Sequence, residues 1–329
     1  MLNFGQKTWL KTCPKCRLIS VKKDGKKRGK QAYRCISCGY RFVLTGNHQK
    51  NFLKAYHQWL FGRRTFSEIC YNLDVSYPKI IKEFDKFDVP EGLQEEVSSN
   101  VAKPLNLMVD ATFFGREYGF LVFHDGRKII YFKEIKTESV KCFRDGLVTL
   151  MSANYHIISI TVDGRRGYVN AIKRLLGNIP VQMCIFHQQA IVRRYITDKP
   201  QSQCGMDLKD LMKNFCKPEL QQEFINKFYQ LQDQYYYLLH QRNDLGHYKY
   251  NNLRAAFRSI DSNMFRLFLY SDIKDSKILP TINHLEGFFG HLKERIKIHR
   301  GLDKNRKKRA IKFMLKNWGK NRVFSHPFF

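Results

Sequence analysis

Acidic residues are scarce in this chain. Aspartate and glutamate total 29 against 58 lysines and arginines, a formal net charge of +29 and a pI near 9.8 over 329 residues. That imbalance exceeds what solubility requires and points to a polyanionic partner. An anionic membrane surface is one such partner, but the sequence has no uninterrupted apolar run of about 18 residues and no signal-peptide layout at its N-terminus. A soluble, intracellular protein with no membrane association is therefore expected. Internal repeats and low-complexity blocks are also missing. What is present is 43% apolar residues, enough for a real buried core, in a length that suits about two domains. The nine cysteines are an odd number, and four of them fall in two CxxC pairs, which favours metal binding in a reducing compartment over disulfides.

The first region, 1–45, holds "CPKC" (Cys13, Cys16) and "CISC" (Cys35, Cys38), two knuckles separated by eighteen residues. This spacing lets two short turns close a tetrahedral thiolate site around Zn²⁺, so the four cysteines are the expected zinc ligands of a zinc ribbon. A segment this short buries little core, and the metal would supply most of its folding energy. The stretch "VKKDGKKRGKQAYRC" between the knuckles carries seven lysines and arginines with Tyr33 beside them, which suits phosphate contact and stacking.

Region 46–92 reads as three helices. Thr65 with Glu68 three residues later forms a capping-box pattern, and Ser76 followed by Pro78 marks the start of the last helix. Ile80, Phe84 and Phe87 share one face of it and leave Lys79, Lys82 and Lys86 outside, as in a helix-turn-helix with a basic recognition helix. A small helical packing module with a solvated lysine face is the plainer reading.

From Lys103 the pattern alternates. "LNLMVDATFFG", "YGFLVFHDG" and "KIIYFKEIK" are three extended apolar runs, the last two joined by Asp125-Gly126 as a two-residue hairpin turn. "SVKCFRDGLVTLMSA" is helical, "HIISITVDG" a buried strand, "YVNAIKRLLG" a helix, and "VQMCIFH" a strand leading into a helix, giving the order βββαβαβ. Residues 206–270 then look all-helical. Asp110 closes the first of these strands and Asp163 the fourth, each after an apolar run. A carboxylate in such a place is costly unless paired or bound to a cation, and two acids at neighbouring strand ends can share a divalent ion.

This order, with Asp110, Asp163 and a glutamate on a later helix, resembles the RNase H-like catalytic core of DDE transposases. The helical insertion before the glutamate, the "CIFH" pair Cys184 and His187, and "NHLEGFFGHLKERIKIHRG" resemble more narrowly the bacterial Mutator-like transposases of insertion sequences, in a variant with a zinc ribbon and helix-turn-helix in front. The resemblance covers roughly residues 105–315. It implies an α/β RNase H-like core split into 103–190 and 281–329 around an all-α insertion at 191–280, with Asp110, Asp163 and Glu286 as catalytic acids holding Mg²⁺ or Mn²⁺. It also implies a supporting role near the acids for Cys184 and His187, a homodimer that joins two DNA ends, and a cytoplasmic, nucleoid-associated place in a bacterium.

The residues around Glu286 support a site there. Leu285, Phe288, Phe289, Leu292 and Ile296 make a packing stripe, while Glu286, Gly290, Lys293, Lys297 and Arg300 form the adjacent one. A carboxylate followed by cations suits a metal site that runs into a phosphate track; an ordinary solvated ladder is the alternative. The Cys184/His187 pair could be half a zinc site or a nucleophile, but no matching second pair lies nearby, and Cys184 could equally be core filler. Arg165 and Arg166, just after Asp163, suit phosphate contact better than a structural ion pair. The basic helix near the C-terminus, "DKNRKKRAIKFMLKNWGKNR", reads most simply as a DNA-backbone contact or as a solvated face. Trp59 and Trp318 read as packing residues. Two functions follow: a transposase that binds the terminal inverted repeats of its element and target DNA, or a catalytically inactive DNA-binding regulator derived from one. A nuclease acting on RNA hybrids would leave the front module unexplained.

Overall fold

The computed structural model describes residues 13, 15–16, 20–27, 30–43, 52–94, 103–213, 221–273, 278–299 and 301–317. At the N-terminus β1 (Val21–Lys27), β2 (Lys30–Cys35) and β3 (Arg41–Val43) form an antiparallel sheet in that order. Among the described residues its buried cluster is Cys13, Tyr33, Cys35 and Phe42, with Cys16 and Val21 packed against it, too little to hold three strands without a cross-link.

Three helices follow, α1 (Phe52–Leu60), α2 (Phe66–Leu73) and α3 (Tyr77–Phe84). The expected capping box is in place: the Glu68 N–H donates to Thr65 Oγ1 at 3.2 Å and the Thr65 N–H donates to Glu68 Oε2 at 2.9 Å. Ser76 occupies the N-cap of α3 but makes no side-chain capping bond; Pro78 alone marks that first turn.

The larger sheet contains β4 (Gly92–Leu93), β5 (Lys103–Phe114), β6 (Tyr118–His124) and β7 (Ile129–Ile135). It is completed, through α4 (Val140–Ser152), by β8 (Tyr155–Val162) and, through α5 (Arg166–Leu176), by β9 (Val181–Met183). The spatial order is β4-β7-β6-β5-β8-β9, with β6 antiparallel to both of its neighbours β5 and β7, and β8 and β9 running parallel to β5. Parallel neighbours require crossover connections, and α4 and α5 supply them. The β6–β7 connection corrects the expected two-residue turn. It spans Asp125–Lys128, because Asp125 Oδ1 accepts the N–H groups of both Arg127 (2.8 Å) and Lys128 (2.7 Å) and tightens a longer loop.

After β9 the chain is helical: α6 (Ile185–Ile196), α7 (Gln203–Lys213), α8 (Gln221–Gln234), α9 (Tyr236–His240), α10 (Asn251–Leu267), α11 (Leu269–Asp272), α12 (Asn283–Ile298) and α13 (Lys304–Asn317). Among the described residues of 203–272 the only β pairing is the bridge between Arg242 and Tyr248.

Strand pleating sorts the core into faces. Leu105, Leu107 and Val109 of β5 pack with Phe143, Leu147, Tyr168 and Ile172 of α4 and α5. On the opposite face Phe120, Val122 and Phe132 pack with Leu285, Phe288 and Leu292 of α12, with Ile311 and Phe313 of α13, and with Tyr56, Trp59, Ile80 and Phe84 of the three-helix unit. A third cluster joins Met183, Ile185 and Val192 to Leu208, Phe228, Phe257 and Ile260 of the helical insertion.

The α13 helix differs from expectation. It is an internal strut, with Ala310, Ile311, Phe313, Met314 and Leu315 buried. Its cations meet acids of the protein itself: Arg306 and Arg309 reach Asp85 at 3.0 and 2.8 Å, Lys312 reaches Asp88 at 2.9 Å, Lys304 reaches Glu117 at 2.6 Å, and Lys308 pairs with Glu134. The cationic pattern read as a DNA contact is largely matched within the fold. Trp59 is buried as expected; Trp318 lies outside the described residues.

Candidate active site

The β5–β8 register brings two acids to the same end of neighbouring strands. The last paired residues are Met108 and Thr161; Asp110 follows two positions on within β5, and Asp163 two positions on, just past the end of β8. Asp110 does not close its strand, as the apolar run suggests. It lies inside β5, which continues to Phe114 because Asp110, Thr112 and Phe114 still pair with Val122, Phe120 and Tyr118 of β6. What ends, at Met108, is the parallel pairing with β8 on the other side, and this leaves a notch between Asp110 and Asp163. Pleating turns Asp110 toward the face that α12 covers.

The beginning of α12 is fastened over that notch. Thr161 Oγ1 donates to the Leu279 carbonyl at 2.6 Å, the Ile185 N–H to the Pro280 carbonyl at 3.3 Å, and the Ile282 N–H to Cys184 Sγ at 3.4 Å. Cys184 is fully buried against Met108 and Ile282, and burial pushes its thiol up to about 11, so it is a packing and anchoring residue in a neutral state. Glu286 follows in the first turn of α12, and His187 Nδ1 of α6 stands 3.3 Å from Glu286 Oε1 without the alignment of a hydrogen bond.

These acids feel one another. Burial raises the Asp110 carboxyl to about 8, and the negative fields of Glu286, Glu138 and Asp163 add to the rise, against one lowering bond from the Ala111 N–H to Oδ1 at 2.8 Å. The oxygens of Asp110, Asp163 and Glu286 do not all lie within 4.8 Å of one another, as they would around a single shared ion. A half-buried carboxyl with three other acids near it is the kind of donor set that would hold divalent cations.

Glu138 is the residue that sequence reading missed. It sits between β7 and the Ser139 cap of α4, on the sheet edge where β5 and β8 also end, and accepts the Tyr168 hydroxyl at 2.6 Å. It stands three residues past the end of β7, behind Lys136 and Thr137, so the pattern of an acid directly after an apolar run that singled out Asp110 and Asp163 does not reach it. Arg165 corrects a second expectation. Instead of standing free for phosphate, it forms a clamp, with Nε 3.1 Å from Asp163 Oδ2 and Nη2 2.8 Å from Glu138 Oε2. Two convergent carboxylates two and 27 residues away explain the choice.

Elsewhere, Lys79 and Lys86 are exposed but both held by Glu83 at 2.7 Å, and Lys82 is exposed on the same helix. Lys293 and Lys297 are exposed on α12, the stripe Leu285, Phe288, Phe289, Leu292 and Ile296 is buried, and a Cβ on Gly290 would meet nothing within 4 Å. The Arg166 side chain and Arg300 lie outside the described residues.

In the N-terminal ribbon the four sulfurs of Cys13, Cys16, Cys35 and Cys38 lie within 4.8 Å of one another, with Cys13 to Cys38 at 3.6 Å and Cys16 to Cys35 at 3.5 Å. A tetrahedron of Zn–S bonds of about 2.3 Å has sulfurs roughly 3.8 Å apart. Burial raises the Cys35 thiol, but bonds from the Cys38 N–H, the neighbouring thiols and the Ser37 N–H outweigh it and bring it down to about 6. A thiolate prepared in this way fits a metal such as zinc.

No family model and no curated protein matches the chain. Among solved structures it is similar to a chain of the Drosophila P element transposase strand transfer complex, with a TM-score of 0.44 and 9% identity over 83% of this chain and 93% of that one. A likeness so slight carries no argument about chemistry. Among the described residues no helix is long and apolar enough to cross a membrane.

Proposed function

We propose that the chain is a DNA transposase of the bacterial Mutator-like DDE kind, which binds the ends of its mobile element and cleaves and joins DNA with Asp110, Asp163 and Glu286. The observation that supports this reading is the field at Asp110: Asp163, just past the end of β8, and Glu286 of α12 both come close enough to raise its carboxyl. The order β7-β6-β5-β8-β9, with α4 and α5 as crossovers, supports an RNase H-like core.

Asp110, Asp163 and Glu286 would hold Mg²⁺ or Mn²⁺, which when bound stabilises attacking and leaving oxygens of a phosphodiester. The chain's own residues set the frame. His187 flanks the Glu286 carboxylate, Arg165 fixes the Asp163 rotamer, and Lys293 and Lys297 continue from Glu286 as phosphate contacts. Water as nucleophile gives strand cleavage; a freed 3′-hydroxyl gives strand joining. In this reading Lys79, Lys82 and Lys86 contact the terminal inverted repeats, Zn²⁺ holds the ribbon, and a homodimer pairs two ends.

The test is Mg²⁺-dependent cleavage of DNA carrying the element's ends, with Asp163→Ala as control. Cleavage by the wild type alone is the expected result. Equal absence of cleavage in both, with end binding retained, would replace the enzyme by a DNA-binding regulator.

A further inference from the structure

A cleft of about 710 Å³ opens between α5, α6 and α10, starting at the chain position next to Asp163. It begins at Gly164, the residue after Asp163, whose φ of +82° and close approach to Met183 (an added Cβ would lie 2.1 Å from Sδ) admit no side chain. Lys173 of α5, Arg194 of α6 and Arg266 of α10 line it, and among the described residues no carboxylate does. In so basic a protein a cationic surface is unremarkable, but this one is concave and has a built floor. Asn263 Nδ2 donates to Gln188 Oε1 at 2.8 Å, Gln188 Nε2 donates to Ser259 Oγ at 3.0 Å, and Arg266 Nη2 donates to Asn263 Oδ1 at 2.6 Å. Gln188 and Asn263 are buried, so this network fixes the direction of the Arg266 guanidinium. Val169 and Ile191 supply an apolar wall, and Tyr195, 38% exposed, stands on the same rim.

We propose that this cleft receives unpaired nucleotides of a DNA strand leading away from the acids. Cations along one side match phosphates, and the apolar wall with Tyr195 matches the faces of bases, the combination that binds single strands without reading sequence. The volume falls in the small-ligand range, enough for about two nucleotides and too small for a duplex. The inference rests on the transposase reading only for the source of the strand.

The test uses the full chain in magnesium-free buffer, so that binding is read without cleavage. A duplex with an unpaired tail containing 4-thiothymidine is photocrosslinked and the adducts are mapped by mass spectrometry. Adducts on α5, α6 or α10 are expected, with yield falling about tenfold in Lys173→Glu/Arg194→Glu and holding in Lys213→Glu/Lys227→Glu, exposed on α7 and α8, which carries the same change of charge. Asp163→Ala should still crosslink, so a failure of catalysis and a failure of this site are separable. If the double variant does not fold, Tyr195→Ala carries the same test, since loss of the stacking face should lower the yield. Unchanged yield in the folded cleft variants, or wild-type adducts confined to other elements, would overturn the proposal. Full competition by free thymidine monophosphate at the tail's own concentration would overturn it in favour of a mononucleotide site.

Discussion

Asp110 is protonated where most aspartates are charged. With its carboxyl at about 8 in the folded chain and near 4 when unfolded, the folded state holds one more proton across that interval. Metal-free stability attributable to this group is therefore intact below about pH 4, falls as pH rises toward 8, and levels off above it, a loss on the order of a few kcal/mol. Asp110→Asn should be more stable than the wild type at pH 8 in magnesium-free buffer and nearly equal to it at pH 4.5, by urea denaturation. A wild type whose stability does not fall over that range would mean that the acids are not gathered as described. Arg165 makes a second claim at this scale. Glu138 keeps only 12% of its side-chain surface exposed, so Arg165→Ala should cost about 1–3 kcal/mol by leaving a carboxylate without its cation. Adding Glu138→Gln should recover much of that loss, a coupling that a double-mutant cycle measures directly.

At the scale of elements, α13 shows why charge pattern and function can part. Its basic face has the look of a nucleic-acid contact, yet Asp85 accepts two arginines from it across more than 200 residues of sequence. Asp85→Ala should lower stability by about 1–2 kcal/mol in urea denaturation, discounted for the partial exposure of all three groups. Lys82→Ala, on the exposed side of α3, should leave stability within about 0.5 kcal/mol and weaken DNA binding with a smaller salt slope. The same contrast explains what was legible in the sequence. Apolar runs revealed β5 to β9, and the capping box revealed α2, because both are local patterns. The β4 pairing, the Asp85 clamp and the Arg165 bridge depend on partners that only the folded chain brings near. Asp110 and Asp163 were found because an acid after an apolar run is conspicuous; Glu138 was passed over because it follows a polar turn, Lys136–Thr137, and resembles a cap residue.

The whole molecule is less modular than its sequence suggests. Among the described residues the ribbon has a private buried core of four, two of them cysteines, and so should depend on a metal held by its four cysteines. The three-helix unit does not stand alone. Tyr56, Trp59, Ile80 and Phe84 share one cluster with α12, α13 and the sheet, with Tyr56 and Phe313 rings 4.8 Å apart and Trp59 and His299 rings 4.3 Å apart. Under the proposed function, in which the three-helix unit reads DNA, its joint with the helix bearing Glu286 ties the placement of bound DNA to that of the acid, since α12 cannot shift without disturbing the packing of α1 and α3. A fragment of residues 46–92 would expose that shared face. It should therefore be largely unfolded by far-UV circular dichroism and should not protect a DNA end, whereas a chain from residue 46 to 329 should melt cooperatively and bind it. Chelating zinc from the full chain should free four thiols to a thiol reagent while leaving that melting transition in place. A helical, cooperatively melting 46–92 fragment would instead make the unit an independent module, and the mechanical link between DNA reading and Glu286 would fail.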